Sequence, residues 1–403
     1  MMIQDSFKLY SAEKEYALRA NVSVAELLQR GDVSHWWCTR VAQNMPTAVI
    51  HGCAPMPLEK SIQADIWQIE AETHLGRQSL SDFLKHPDSG ARGYIAVQAG
   101  KIVAEAYPDL RGQDTHLWAS CAKPTAGLVI ELLVEEGLIE DHRTFGDYMP
   151  EFSGTDWADV KVADAMDMTT GMDCEENNET RSDPSSIAIR AFLAEFGEAF
   201  GDKIETLHDV LKSSRRADKP GNKFEYGSLT TQMLVLLAES VSNCKWAELF
   251  EQRVWCHIGA EGPLLQHLTP DGVALAHGVT SSRLRDLARF GMIFTPSWNR
   301  IANKKIVSES ILDRIRNPKR SGDFFMRGFN GPVLQDTLGD STISSNSRQW
   351  DVIWEDGDMF KGGLMGQGLY VSPGRDLVIC YFSTSPEMYL ARYLRPVAAR
   401  FHL

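Results

Sequence analysis

The chain has 403 residues, of which 43% are hydrophobic and 24% are charged, as is typical of a folded globular protein with one large unit or two lobes. Its net charge of −13 argues against phosphate backbones and anionic membranes, so no nucleic-acid or membrane partner is expected. The N-terminus is charged and lacks an apolar signal region, which favours a cytoplasmic location.

Seven cysteines are scattered along the chain without a C-x-x-C pair. Because their spacing is not that of a zinc site, we predict reduced, mostly buried thiols and no bound metal. Cys121 lies beside Ser120 and is a rival candidate nucleophile, but no histidine follows it at helical spacing.

The first half of the chain alternates between helical and strand patterns. Residues 58–85 have a helical pattern, whereas Gly93–Tyr107 predicts two strands joined at Ala99-Gly100. Apolar residues at helical spacing then predict a helix that begins near Ser120 and stops at Gly137.

From about residue 160 to 270 the pattern is mainly helical, and after about residue 300 it predicts successive strands followed by a closing helix. This order predicts an α/β (α+β) fold: an antiparallel sheet from both ends of the chain, flanked by helices, with an inserted helical lobe. The predicted domains are an N-terminal extension packing on the core (1–60), a sheet-containing lobe (61–160 and 275–403) and a mainly helical lobe (161–274).

Ser120 and Lys123 form an S-x-x-K pattern at the start of the predicted helix. A serine hydroxyl is a poor nucleophile until a neighbouring group takes its proton, and residues three apart on a helix are neighbours. Burial lowers the pKa of a lysine, so an amine among Ala126, Leu128 and their apolar neighbours can act as a base. Alone, the four-residue pattern also arises by chance.

A second candidate group lies about a hundred residues later. Tyr226 follows a turn and directly precedes a predicted helix, so it can face a cleft and serve as a general base or acid toward the serine. A nearby lysine would favour its phenolate. Ser228 can donate a hydrogen bond or cap the following helix, and a packing role remains an alternative for the tyrosine.

The third candidate is a glycine-rich strand that contains Lys361, Gly362 and Gly363. Glycines in a strand permit close approach of another molecule, and a backbone N–H there can form half of an oxyanion hole, with the Ser120 N–H as the other half. Lys361 could attract a substrate carboxylate or tune Tyr226; a bulged edge strand with a solvated lysine is the alternative.

Together these patterns resemble the motifs of the serine β-lactamase and penicillin-recognising superfamily, on its class C side. Ser120-Cys121-Ala122-Lys123, Tyr226-Gly227-Ser228 and Lys361-Gly362-Gly363 match its three motifs, and the following "GLMGQGLYVSP" is most similar to the nylon-oligomer (6-aminohexanoate-dimer) hydrolases. The resemblance covers roughly residues 85–403 and implies a β-lactamase-like fold.

The resemblance also implies a metal-free and cofactor-free serine hydrolase that cleaves a small ester or amide through an acyl-enzyme on Ser120. Lys123 and Tyr226 would share the proton handling, and which of them is the formal base stays open. The oxyanion would lie between the N–H groups of Ser120 and Leu364. The implied substrate-binding residues are Ser228, Lys361, Gly363 and Gln367.

The chain departs from the family pattern at the third motif, where Gly362 replaces a threonine, so efficient β-lactam turnover is not expected. An alternative register makes Met365-Gly366-Gln367 the third motif. Other functions left open are a D,D-peptidase or weak β-lactamase, an acyltransferase and a non-catalytic ligand-binding relative. A homo-oligomer is possible, and the sequence does not indicate the oligomeric state.

Two further groups are candidates for lining the cleft. An acidic loop between the first two motifs would suit an amine-bearing substrate, or is simply solvated; it contains Asp173, Glu175, Glu176, Glu179 and Asp183. Trp350 and Trp354 would line the acyl pocket or pack in the core.

Overall fold

The computed structural model describes residues 9–29, 31–320 and 322–402. The α-helices are α1 (Ala12–Ala20), α2 (Val24–Leu28), α3 (Asp32–Trp37), α4 (Leu80–Lys85), α5 (Lys123–Glu135), α6 (Val162–Met166), α7 (Asn178–Ser182), α8 (Ile187–Phe196), α9 (Leu207–Ser213), α10 (Ser228–Ser242), α11 (Trp246–Arg253), α12 (Leu284–Met292), α13 (Glu309–Arg316), α14 (Gly322–Arg327), α15 (Asn330–Leu338) and α16 (Leu394–Ala398). Across the described ranges, no helix has the length and apolar character needed to cross a membrane.

The strands are β1 (Thr47–Ile50), β2 (Glu59–Lys60), β3 (Glu70–Thr73), β4 (Gly76–Ser79), β5 (Ala91–Gln98), β6 (Lys101–Ala106), β7 (His116–Leu117), β8 (Ala199–Phe200), β9 (Lys203–Ile204), β10 (Leu264–His267), β11 (Thr280–Ser282), β12 (Ile343–Ser347), β13 (Trp350–Trp354), β14 (Met359–Gly363), β15 (Gln367–Ser372) and β16 (Leu377–Ser383).

The main sheet joins both ends of the chain. Its eight strands run in the order β12-β13-β14-β15-β16-β5-β6-β2, and neighbours are antiparallel except for the β2–β6 pair. Helix α12 packs on β5, β15 and β16, where a side chain at Gly291 would lie 2.6 Å from Val378. This arrangement of helices and sheets confirms the predicted fold class. The hairpin predicted around Ala99-Gly100 is also confirmed: it joins β5 to β6, and both residues have the positive φ of a tight hairpin turn.

A smaller sheet holds the segment that leads to Ser120. Its strands run β1-β10-β11-β7, and β7 ends three residues before the serine. Strand β10 lies inside the predicted helical lobe but pairs with β1 of the N-terminal extension. The domain boundaries stay a prediction.

The helix expected over residues 58–85 is wrong for most of its length. A hairpin, β3–β4, occupies the middle of that region, and Gly76 has a φ of +80° at its turn. Only Leu80–Lys85 is α-helical. The apolar residues Ile66, Ala71 and Leu80 are buried from different elements, so their spacing only imitates a helix.

Two other expectations need correction. The strands expected after residue 300 are preceded by three helices, α13 to α15. Cys53 and Cys256 form a disulfide with Cα atoms 4.8 Å apart, so the prediction of reduced thiols is wrong for this pair. Sequence spacing gave no sign of it because 203 residues separate the two cysteines. The other five are free thiols, four of them buried.

Candidate active site

Ser120 lies in a 3₁₀ turn, Ala119–Ala122, that runs directly into α5. The helix therefore begins at Lys123, slightly later than predicted. Ala119 has a φ of +47°, a conformation unusual for a residue with a side chain, which marks a strained turn just before the serine. Backbone hydrogen bonds fix this approach: Leu117 donates to the Cys38 carbonyl and Trp118 to the Thr280 carbonyl.

The Lys123 side chain is fully buried at the N-terminus of α5. Its Nζ donates to Ser228 Oγ and to the His277 carbonyl, each at 2.9 Å. Burial lowers the pKa of Lys123 to about 7, with Lys361 adding to the effect and Glu176 opposing it. At neutral pH a substantial fraction of this amine is therefore unprotonated and able to accept a proton.

Tyr226 faces Ser120 from the residues just before α10. Its hydroxyl shares a hydrogen bond with the Ser120 side chain, and Lys123 Nζ lies 5.2 Å from the centre of its ring. Burial, followed by the negative charges of Asp351 and Glu176, raises the pKa of Tyr226 well above its usual value. Burial and these carboxylates therefore favour the neutral phenol of Tyr226, which argues against the alternative in which a neighbouring lysine favours its phenolate.

Lys361, a second lysine beside Tyr226, is also fully buried. Its Nζ donates to Asp351 Oδ2 at 2.8 Å, to the Gly362 carbonyl at 2.9 Å and to the Tyr226 hydroxyl at 3.4 Å. An ammonium group has three N–H donors, so these contacts occupy all of them. A role for Lys361 in binding substrate stays a prediction, and it requires that Lys361 give up one of these three hydrogen bonds. Sequence analysis missed Asp351, a carboxylate inside an otherwise apolar strand.

The third motif approaches the nucleophile turn through a glycine. A side chain at Gly363 would lie 2.9 Å from the Trp118 carbonyl, so only glycine allows β14 to pass this close. The next residue, Leu364, is half-buried and lines the same cavity as Ser120. This arrangement favours the register with Lys361-Gly362-Gly363 over the alternative.

Gln367 is held away from the cavity. Its amide nitrogen donates to the Ser383 carbonyl at 2.6 Å and to the Leu364 carbonyl at 3.3 Å, while its amide oxygen accepts the Ser383 N–H. Both ends of the fully buried amide are thus engaged by backbone. These hydrogen bonds tie Gln367 to the Leu364 loop, and a substrate contact from Gln367 stays a prediction.

Glu176 forms hydrogen bonds with two residues of the second motif, Tyr226 and Ser228. Its backbone N–H donates to the Tyr226 carbonyl at 2.7 Å, and its carboxylate accepts the Ser228 N–H at 2.8 Å. Burial would raise its pKa, but Arg181, Lys123 and the Ser228 hydrogen bonds outweigh burial and hold the pKa of Glu176 at about 2. This residue therefore remains a carboxylate, with Arg181 3.1 Å away.

Three of the other acidic residues of the loop have partners within the protein. Glu175 pairs with Lys223, Asp173 accepts the Arg215 N–H and Asp183 accepts the Ser185 N–H. Among the five predicted rim residues, Glu176 lines the cavity described below. The interaction pattern could not be read from sequence because the partners lie up to 48 residues away.

Two of the remaining candidates are core residues. Trp350 packs edge-on against Phe294, and Trp354 against Tyr370; both indoles are buried and neither lines the cavity. Burial raises the pKa of Cys121 to about 12, and its thiol donates to the Lys361 carbonyl. A protonated, buried thiol is a poor nucleophile, which leaves Ser120 as the stronger candidate.

The motifs meet in a cavity of about 270 Å³. Ser120, Tyr226, Ser228, Gly363 and Leu364 line it. Residues of α2, α3 and α8 form one part of its lining, and residues of α15 and the segment 386–388 form another part. The volume lies just below the usual range for ligand pockets, which favours a small substrate.

Comparison with known proteins places this geometry in a family. The Beta-lactamase family model matches residues 89–400. The 6-aminohexanoate-dimer hydrolase of Paenarthrobacter ureafaciens is 24% identical over 368 residues, covering 89% of this chain and 87% of that protein.

Two solved structures have the same fold. One, from Bacillus anthracis and provisionally named a 6-aminohexanoate-dimer hydrolase, matches with a TM-score of 0.77 and 22% identity over 92% of this chain and 94% of that chain. The other, EstCE1, described as a hydrolase with promiscuous acyltransferase activity, matches with a TM-score of 0.58 and 12% identity over 79% of this chain and 97% of that chain. Because the family model spans well over half of its residues, the chain belongs to the beta-lactamase family.

Proposed function

We propose that the protein is a serine hydrolase that cleaves a small ester or amide through an acyl-enzyme on Ser120. The observation that carries this proposal is that Ser120 and Tyr226 share a hydrogen bond in one cavity, while the buried amine of Lys123, whose pKa is about 7, lies directly behind them, 5.2 Å from the Tyr226 ring centre. A general base works best when its pKa lies near the working pH. Of the two candidate bases, Lys123 meets this condition.

In the acylation step, Ser120 Oγ attacks the substrate carbonyl carbon while its proton passes to the Lys123 amine, with the Tyr226 hydroxyl as relay. The negative charge on the carbonyl oxygen is stabilised by the N–H groups of Ser120 and Leu364. When the bond to the leaving group breaks, Tyr226 donates a proton to the departing oxygen or nitrogen and regains one from Lys123. Water then repeats the sequence, releases the acid and restores Ser120.

Linear amides and esters are favoured over β-lactams as substrates. Gly362 lacks a hydroxyl, and the three N–H donors of Lys361 are occupied, so little is available to hold a β-lactam carboxylate. A relative named for a 6-aminohexanoate dimer supports including linear amides. A D,D-peptidase or weak β-lactamase is the less favoured alternative.

The test is a panel of short p-nitrophenyl esters, linear amides and nitrocefin, with intact-mass detection of an adduct on Ser120. The wild-type protein should turn over at least one ester or amide, Ser120→Ala should abolish turnover and adduct, and the exposed-serine control Ser341→Ala should behave like wild type. Turnover that survives in Ser120→Ala would refute the assignment, and absence of any adduct would favour a non-catalytic relative. Product partitioning in added methanol separates hydrolysis from acyl transfer.

Two sequence-based expectations stay predictions. The cytoplasmic location is one, and the Cys53–Cys256 disulfide weighs against it because reducing compartments rarely maintain such bonds. Homo-oligomer formation is the other.

A further inference from the structure

The N-terminal helices are attached to both halves of the candidate oxyanion hole. The Cys38 carbonyl, at the end of α3, accepts the N–H of Leu117, three residues before Ser120. The Cys38 thiol also lies 3.8 Å from the sulfur of Met365, the residue after Leu364. The end of α3 is thereby held against the reacting centre, although it precedes Ser120 by more than eighty residues.

The cavity wall built by these helices is apolar. Leu27, Leu28 and Trp37 line it from α2 and α3, and Phe192 and Phe196 complete it from α8. The two phenylalanines are four residues apart, so they share one helix face, and the Trp37 and Phe196 rings are 5.7 Å apart.

Specific contacts hold this wall together. The Val24 N–H at the start of α2 donates to Glu198 Oε1, just beyond α8, at 2.8 Å. Glu195 and His277 also line the cavity near this wall, but they are almost fully buried and lie 3.2 Å apart as a pair. Because these two side chains contact each other and the five other residues named on this wall are apolar, the wall favours a neutral group.

The two sides of the cavity belong to different parts of the core. Tyr226 packs with the apolar cluster that contains Phe224 and Leu334, whereas Trp37 and Leu117 belong to the other large cluster. If Tyr226 protonates the leaving group, that group lies on the Tyr226 side, and the acyl group of the substrate lies on the Trp37 side.

We propose that Leu27, Leu28, Trp37, Phe192 and Phe196 form an acyl-group subsite that selects esters and amides with a neutral hydrocarbon acyl chain. This inference rests on the proposed function. It makes the N-terminal helices determinants of specificity, outside the region, residues 89–400, that matches the family model.

The experiment measures kcat/KM for p-nitrophenyl acetate, butyrate and hexanoate. In the wild type the value should rise about fourfold for each methylene that becomes buried, until the subsite is filled. Leu28→Trp fills the subsite and should lower the hexanoate-to-acetate ratio at least tenfold. Ala25→Trp adds the same bulk at an exposed position of α2 and should leave the ratio unchanged.

A second variant tests the same subsite in case Leu28→Trp fails to fold. Phe192→Ala enlarges the subsite and should move the optimum toward a longer acyl chain, with folding checked by circular dichroism. A parallel series of acetate esters with longer alcohol groups should not respond to Leu28→Trp. A ratio unchanged in both folded variants, or a response confined to the alcohol series, would overturn the subsite. No Ser120 adduct with any ester would instead refute the proposed function.

Discussion

Lys123 Nζ donates to Ser228 Oγ across 2.9 Å, which joins the first turn of α5 to the first turn of α10. The two helices pack side by side, so this bond connects the first and second motifs through their helix N-termini. Lys123, one turn from the serine, is thus directed toward the second motif, while Ser120 shares a hydrogen bond with Tyr226.

The pH dependence of the reaction should report Lys123. Because the base must be unprotonated and its pKa is about 7, kcat/KM should fall tenfold per pH unit below about 7 and reach a plateau above it. Tyr226 should not limit the rate at moderately alkaline pH, because its raised pKa keeps it protonated. The check is a pH–rate profile from 5 to 9 with a p-nitrophenyl ester, and a profile without an acidic limb would contradict Lys123 as the base.

Glu176 should act as a positioning residue whose charge tunes Lys123. Its carboxylate raises the pKa of Lys123, so Glu176→Gln should move the acidic limb of the profile to lower pH. The amide also weakens the hydrogen bond to Ser228, and we expect kcat to fall by about tenfold. Glu179→Gln, an exposed change in the same loop, is the control. A drop in kcat with no movement of the limb would leave Glu176 with a structural role alone.

The buried pair of Asp351 and Lys361 should be strongly coupled in stability. Both side chains are at most 6% exposed, and the Asp351 carboxylate also accepts the Gly362 N–H. Asp351→Asn leaves a buried ammonium without its counter-ion and should cost about 3 kcal/mol of unfolding free energy. Adding Lys361→Met should restore most of it. Urea unfolding of the single and double variants measures the coupling, and simple additivity would contradict it.

The Cys53–Cys256 disulfide should stabilise the fold. It closes a loop of about 200 residues, for which the chain-entropy model gives about 5 kcal/mol as an upper value. Cys53→Ala and reduction of the wild type should lower the melting temperature by similar amounts, whereas Cys244→Ala, at a free cysteine, is the control. Thiol titration under denaturing conditions gives the number of free thiols, which should be five.

The sequence predicts structure and site residues where neighbouring residues in the chain determine them. Motif spacing predicts Ser120, Lys123 and Tyr226, and in the structure Tyr226 shares a hydrogen bond with Ser120 and has Lys123 Nζ 5.2 Å from its ring centre. Alternating hydrophobicity and the turn at Ala99-Gly100 predicted the central hairpin. In such cases the pattern and the structure depend on the same few neighbouring residues.

The sequence does not predict which distant residues contact the site residues. Nothing in the sequence near Lys361 indicates that Asp351 accepts a hydrogen bond from it, and nothing near Gln367 indicates that the Ser383 backbone binds both ends of its amide. The sequence likewise does not indicate that Leu28 and Trp37 line the cavity. Each depends on which segments pack together, and this is decided by the whole core.

The pairing of β5 with β16 has a consequence for biogenesis. Ile95 lies opposite Cys380 in the centre of the main sheet, so the β5–β6 hairpin must wait for a strand that lies far later in the chain. Such non-local pairing is slow to form, and meanwhile the apolar faces of β5 and α5 have nothing to cover them. Until β16 joins β5 in the sheet, aggregation of the partly folded chain competes with folding.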